Sequence, residues 1–144
     1  MSIINAPEPT VQAVETRAHR IPSLPDVILE PLVRATLQED LGRAGDLTTD
    51  SIVPATARTQ MRLVAREEGV LAGLDLARLA FTLLDPTLRF EAQLQDGDAL
   101  TPGAQIAVIS GSAHSMLTAE RCALNFLGHL SGVASATASI ARAI

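Results

Sequence analysis

Arg121, Asn125, Gly128 and Gly132 follow one another at i, i+4, i+7 and i+11. On a helix that advances about 100° per residue, this spacing stacks a guanidinium, a carboxamide and two missing side chains in one column. A planar guanidinium can hold a carboxylate through two parallel N–H···O bonds, so it reads the shape of an anion as well as its charge. Glycine inside a helix costs about 0.5–1 kcal/mol relative to alanine, and two on one face argue that something approaches the column closely. Arg121 is the candidate anion-binding residue and Asn125 its candidate polar neighbour. A salt bridge from Arg121 to Glu120 or a neighbouring acid is the competing reading.

The other reactive side chains offer less. Cys122 adjoins Arg121, but its angle on the helix turns it toward the apolar side, which reads as a buried, inert thiol. His19, His114 and His129 are scattered and form no metal-ligand spacing. A lysine-dependent phosphate loop is excluded, because all 11 basic residues are arginine. Arg58, Arg62 and Arg66 fall mostly on one side of a strand pattern, where Glu67, Glu68 and solvent can neutralise them as well as a phosphate. Asp46, Thr48 and Thr49 read as a structural turn that satisfies local backbone donors.

The column sits in the stretch 115–144, which reads as one long helix with Ala119, Ala123, Phe126, Leu127, Leu130 and Val133 as its apolar face. Before it, the pattern predicts a helix from Asp26 to about Leu41, with Leu29, Val33, Leu37 and Leu41 inward, Gly42 as its stop and Pro31 as a complication. Residues 58–66 alternate, with Thr59, Met61, Leu63 and Ala65 on one side. A short strand from Val70 to Ala72 hands over at Gly73 to a helix carrying Leu74, Ala77, Phe81 and Leu84, which ends at Asp85-Pro86. Leu88, Phe90, Ala92 and Leu94 alternate again before an Asp96-Gly97 turn. Ile106 to Ile109 is apolar on both faces and reads as a central strand.

With no regular βαβ repeat, this order predicts an α+β domain: a mixed or antiparallel sheet of about four strands with helices packed on one face. Residues 1–25, with Pro7, Pro9, Pro22 and Pro25, read as a loosely ordered arm, and 26–144 as one domain. At 144 residues, 47% hydrophobic and 19% charged, the chain is long enough for a single core. A net charge of −5 and 2% aromatic content argue against nucleic-acid partners, which select basic surfaces and stacking rings. One cysteine, no secretory or transit pattern, and no run approaching the ~20 apolar residues of a membrane span give a cytoplasmic expectation.

Four blocks in order resemble a known family. Glu39-Asp40-Leu41-Gly42 with Gly45-Asp46-Leu47-Thr48-Thr49 comes first, then Gly69-Val70-Leu71-Ala72-Gly73, then Asp96-Gly97-Asp98 with Pro102-Gly103. The fourth is Glu120-Arg121-Cys122-Ala123-Leu124-Asn125-Phe126-Leu127 with His129-Leu130-Ser131-Gly132-Val133-Ala134, similar to the ERTALNFL and LSGIAT signature of quinolinate phosphoribosyltransferase. Cys122 and Ser135 stand where threonine is usual in that family.

The resemblance implies an enzyme that joins quinolinate to phosphoribosyl pyrophosphate with magnesium present, releasing nicotinate mononucleotide, carbon dioxide and pyrophosphate on the route to NAD. It implies a hammerhead-like N-terminal domain followed by an α/β barrel that holds the catalytic lysine and the magnesium. It also implies a homodimer or higher oligomer in which each N-terminal domain covers the partner's site. Arg121 matches the arginine that reaches the substrate carboxylate across the dimer. The barrel signature lies beyond Ile144, so this chain alone is expected to be inactive. A paralogue associated with molybdate transport, and a non-enzymatic module built on the sheet of biotinyl or lipoyl carriers, are the alternative readings. The second lacks the attachment lysine that a carrier needs.

Overall fold

A computed structural model describes residues 21–44 and 52–144. Of the predicted arm, only 21–25 falls within this range, without regular structure, and the 45–49 turn lies outside the described residues. The elements are α1 (Asp26–Ala44), β1 (Arg58–Val64), β2 (Gly69–Val70), α2 (Leu74–Leu84), β3 (Arg89–Ala92), β4 (Ala99–Leu100), β5 (Gln105–Ser112) and α3 (Ala113–Ala143).

Hydrophobic patterning places β5 at the centre, and the structure agrees: the main sheet has the order β1-β5-β3, antiparallel throughout. Ile106, Ala107 and Ile109 of β5 are all buried, which requires cover on both faces. Strand alternation puts Leu63 and Ala65 in the core and turns Val64 outward, and the pairing with β5 shifts register between Leu63 and Val64. The fold is α+β as expected, with five described strands split into two antiparallel sheets. β2 leaves the main sheet and pairs only with β4.

Two boundaries differ from the sequence reading. Gly42 does not stop α1, which continues to Ala44. A glycine ends a helix by adopting a left-handed conformation, and Gly42 is not among the positive-φ glycines. The strand read over Val70 to Ala72 keeps ladder pairing only at Gly69 and Val70, because Leu71 and Ala72 bond to other groups.

The helices bury one apolar layer against the sheet. α3 packs on β5, β1 and β2, α2 on β3, and α1 on both helices. Phe81, Leu71, Ile109, Met116, Val33 and Cys122 are the largest fully buried side chains, and the Phe81 ring lies 6.1 Å from that of Phe90, centroid to centroid. Met116, Ala119, Cys122, Ala123 and Leu127 form the inner stripe of α3, with Phe126 and Leu130 half-buried beside it. Val133, read as part of this stripe, is 54% exposed and lines an open groove between α3, the start of α2 and residues 21–24.

The start of α2 shows how distant blocks of sequence cooperate. Gly73 is left-handed (φ 93°) and offers no side chain as a cap. Asp96, in the turn after β3, substitutes: its two carboxylate oxygens accept from Gly73 N and Leu74 N, each at 3.0 Å. This satisfies two otherwise orphaned donors and places a negative charge at the positive end of the helix. Asp96→Ala is expected to lower stability by about 2 kcal/mol, the upper range for a lost cap, with Asp96→Asn recovering part. Urea unfolding midpoints of the chain measure both.

Candidate functional site

α3 begins at Ser112, whose hydroxyl accepts from Ser115 N at 3.3 Å, and runs unbroken past the sequence column to Ala143. With Met116, Ala119, Cys122 and Ala123 held inward, Arg121, Asn125, Gly128 and Gly132 all fall on the exposed side. The column forms as the spacing predicts. A Cβ built on Gly128 or Gly132 meets nothing within 4 Å. Among the described residues nothing approaches the two glycines, which leaves the column open.

Leu117 and Leu124, each 45% exposed, flank Arg121 on the same face. An arginine set between exposed leucines and beside vacant glycine positions is suited to a planar anion: the guanidinium supplies charge and fork geometry, and the apolar surroundings lower the local dielectric once covered. Among the described residues Arg121 makes no salt bridge, including the one to Glu120 that sequence reading left open. Neighbouring residues on a helix diverge by about 100°, which keeps the two side chains apart.

Cys122 sits behind Arg121 as expected, 1% exposed. Burial, helped by the Asp40 charge, pushes its thiol up to about 11. The thiolate is therefore scarce at neutral pH. A thiol reagent at pH 8 is expected to leave the folded chain unmodified and to label it fully in denaturant. Because this acid titrates higher folded than unfolded, its contribution to stability is intact below pH 9 and is lost as pH rises from 9 toward 11. Equilibrium unfolding across that range reads the decline.

The remaining candidates do not join the column. Arg58, Arg62 and Arg66 lie exposed on and just beyond β1, and His129 is exposed on α3. His19, Asp46, Thr48 and Thr49 fall outside the described residues. Among the described residues, no three His, Cys, Asp or Glu side chains gather at metal-binding distance, and no helix is long and apolar enough to cross a membrane. Sequence reading missed Asp96, Ser131 and Ser135 as side chains that bond the backbone amides of Val70, Ala72, Gly73 and Leu74. The i, i+4 repeat of the serines was the available signal.

The family described as "Quinolinate phosphoribosyl transferase, N-terminal domain" matches residues 46–131, which include Arg121, Asn125 and Gly128. The chain belongs to this family. Its relatives include the decarboxylating quinolinate phosphoribosyltransferase 1 of Nicotiana glauca, 35% identical over 134 residues, which cover 93% of this chain and 38% of that protein. The chloroplastic nicotinate-nucleotide pyrophosphorylase of Arabidopsis thaliana is 36% identical over 122 residues, covering 85% and 35%. Among solved structures, NadC from Streptococcus pyogenes superposes with a TM-score of 0.81 at 41% identity, covering 85% of this chain and 44% of that one. The quinolinate phosphoribosyl transferase N-terminal fold is thus shared, and the chain spans 35–44% of the length of these relatives.

Proposed function

We propose that this chain is the N-terminal domain, over 26–144, of an enzyme of NAD biosynthesis that converts quinolinate and phosphoribosyl pyrophosphate to nicotinate mononucleotide, carbon dioxide and pyrophosphate. The domain covers the site of a partner subunit in a homodimer or larger assembly and supplies Arg121 to a quinolinate carboxylate. The observation that carries this is the exposed Arg121, unpaired among the described residues, between Leu117 and Leu124 and inside the family-matched region. The names of the relatives favour this reading over the molybdate-associated paralogue and the carrier-like module.

In this reading the pyridine nitrogen attacks the ribose C1 and displaces pyrophosphate, forming the N–C bond as the C–O bond breaks. The carbon–carboxylate bond then breaks, its electron pair remaining on the ring carbon beside the cationic nitrogen until a proton replaces it. Magnesium, held with the sugar pyrophosphate in the barrel, would supply charge neutralisation for the leaving group. Arg121 contributes orientation and charge: gripping a carboxylate aims the ring nitrogen and balances a dianion in a site that closure of the two subunits makes drier. Asn125, one turn along, is placed to donate a second hydrogen bond. A buried, reduced thiol fits a cytoplasmic setting.

Calorimetric titration of the product of the full reading frame with quinolinate and with nicotinate, which lacks the second carboxylate, tests the assignment. Quinolinate is expected to bind more tightly, and Arg121→Ala to narrow that preference by tenfold or more, roughly the worth of one charge-assisted contact. A preference left intact in Arg121→Ala would remove the role assigned to this residue.

A further inference from the structure

Beside its apolar seam, α3 makes polar contacts with the backbone of 69–73. Ser131 and Ser135 project from one side of α3, a turn apart, onto the backbone of 69–73. The Ser135 hydroxyl accepts from Val70 N at 2.9 Å and donates to the Ser131 carbonyl at 2.6 Å. The Ser131 hydroxyl accepts from Ala72 N at 3.0 Å and donates to the Ala72 carbonyl at 3.2 Å. The helix therefore serves β2 and the residues after it as a neighbouring strand would.

Contact this close needs glycine. A Cβ at Gly69 would lie 2.5 Å from Ser135 Oγ, and one at Gly73 would lie 2.8 Å from Leu130 Cδ1 and 3.2 Å from the Phe126 carbonyl oxygen. Gly73 is fixed in turn by Asp96. The apolar seam of α3 combines Ala119, Cys122 and Ala123 with the larger Met116, Phe126, Leu127 and Leu130. Packing settles which face of the helix is buried. Hydrogen bonds are directional and add a restraint on rotation about its axis and sliding along it.

We propose that Ser131 and Ser135, bonded to the backbone of Ala72 and Val70, are positioning residues that fix the rotation and elevation of α3 and so aim Arg121. This inference rests on the role given to Arg121 above. Sliding a helix by one residue moves it about 1.5 Å and turns it about 100°. Far smaller errors matter, since a misplacement of ~1 Å can cost about a hundredfold in rate.

The test uses the 15.1 kDa chain in solution by nuclear magnetic resonance. Amide residual dipolar couplings along a helix oscillate with its turn, and their phase reports its rotation relative to the sheet. In the Ser131→Ala/Ser135→Ala variant, the phase over Leu117 to Gly128 is expected to shift against β5, and the Val70 and Ala72 amides to exchange about tenfold faster, the worth of one hydrogen bond. Ser135→Thr keeps the hydroxyl and is expected to restore the wild-type phase at that position. Should the double variant fail to fold, Gly69→Ala tests the same contact by pushing on Ser135.

In the product of the full reading frame, the double variant is expected to raise KM for quinolinate while leaving KM for phosphoribosyl pyrophosphate unchanged. A lower melting temperature with an unchanged helix phase, or a shifted phase with unchanged quinolinate KM where Arg121→Ala raises it, would overturn the positioning role. If Arg121→Ala itself leaves quinolinate kinetics untouched, the functional reading fails and the phase measurement still decides what holds α3.

Discussion

Arg121→Ala, made in the product of the full reading frame, is expected to lower kcat/KM for quinolinate by roughly 30- to 1000-fold. The range corresponds to about 2–4 kcal/mol, the loss typical of one preorganised charge-stabilising donor. Two features make the effect readable as chemistry. Arg121 is exposed and unpaired among the described residues, so its removal leaves no buried partner unsatisfied and the melting temperature should hold. The wall behind it, Cys122 and Ala123, is buried and stays in place. Arg121→Lys keeps the charge but lacks the fork, and is expected to recover only part of the loss. Steady-state rates at varied quinolinate measure both variants.

Phe81→Ala carries the largest expected loss of stability, about 3–5 kcal/mol, because a fully buried ring leaves a cavity that its surroundings fill only in part. The tilted contact with Phe90 is lost as well, and such aromatic pairs contribute about 0.5–1.5 kcal/mol beyond area burial. Against a total stability on the order of 5–15 kcal/mol, the unfolding midpoint should fall on the order of 10–20 °C. Phe81→Leu, closer in volume, is expected to cost about 1.5 kcal/mol. Thermal unfolding followed by circular dichroism separates the two, and a Phe81→Ala midpoint within a few degrees of wild type would contradict this account of the core.

What could be read from sequence was what local pattern decides. β5 is apolar on both faces and proved central; Asp85-Pro86 ended α2; Asp96-Gly97 made a turn; Cys122 was buried. Each rests on residues a few positions apart. The misses depend on partners far along the chain. Gly42 can end a helix or sit inside one, and nothing in its neighbours shows which. β2 stands apart from the main sheet, with its Val70 amide taken by Ser135 and the Ala72 amide just beyond it by Ser131, both more than fifty residues later. A separation of 22–23 residues hid Asp96 as the cap of α2.

The site divides in the same way. That Arg121, Asn125, Gly128 and Gly132 share an exposed face follows from helical spacing. The proposal of a pyridine dicarboxylate as the anion does not follow from spacing: it rests on the resemblance of four motif blocks and on membership of the family matched over 46–131.

The most direct measurement is release of carbon dioxide from carboxyl-labelled quinolinate, dependent on phosphoribosyl pyrophosphate and magnesium. It is made with the product of the full reading frame and, in parallel, with the 144-residue chain. Release by the first and none by the second is the expected result. Release by the isolated chain, or none from the longer protein, would contradict the reading of this domain as the arginine-bearing cover of a partner's site.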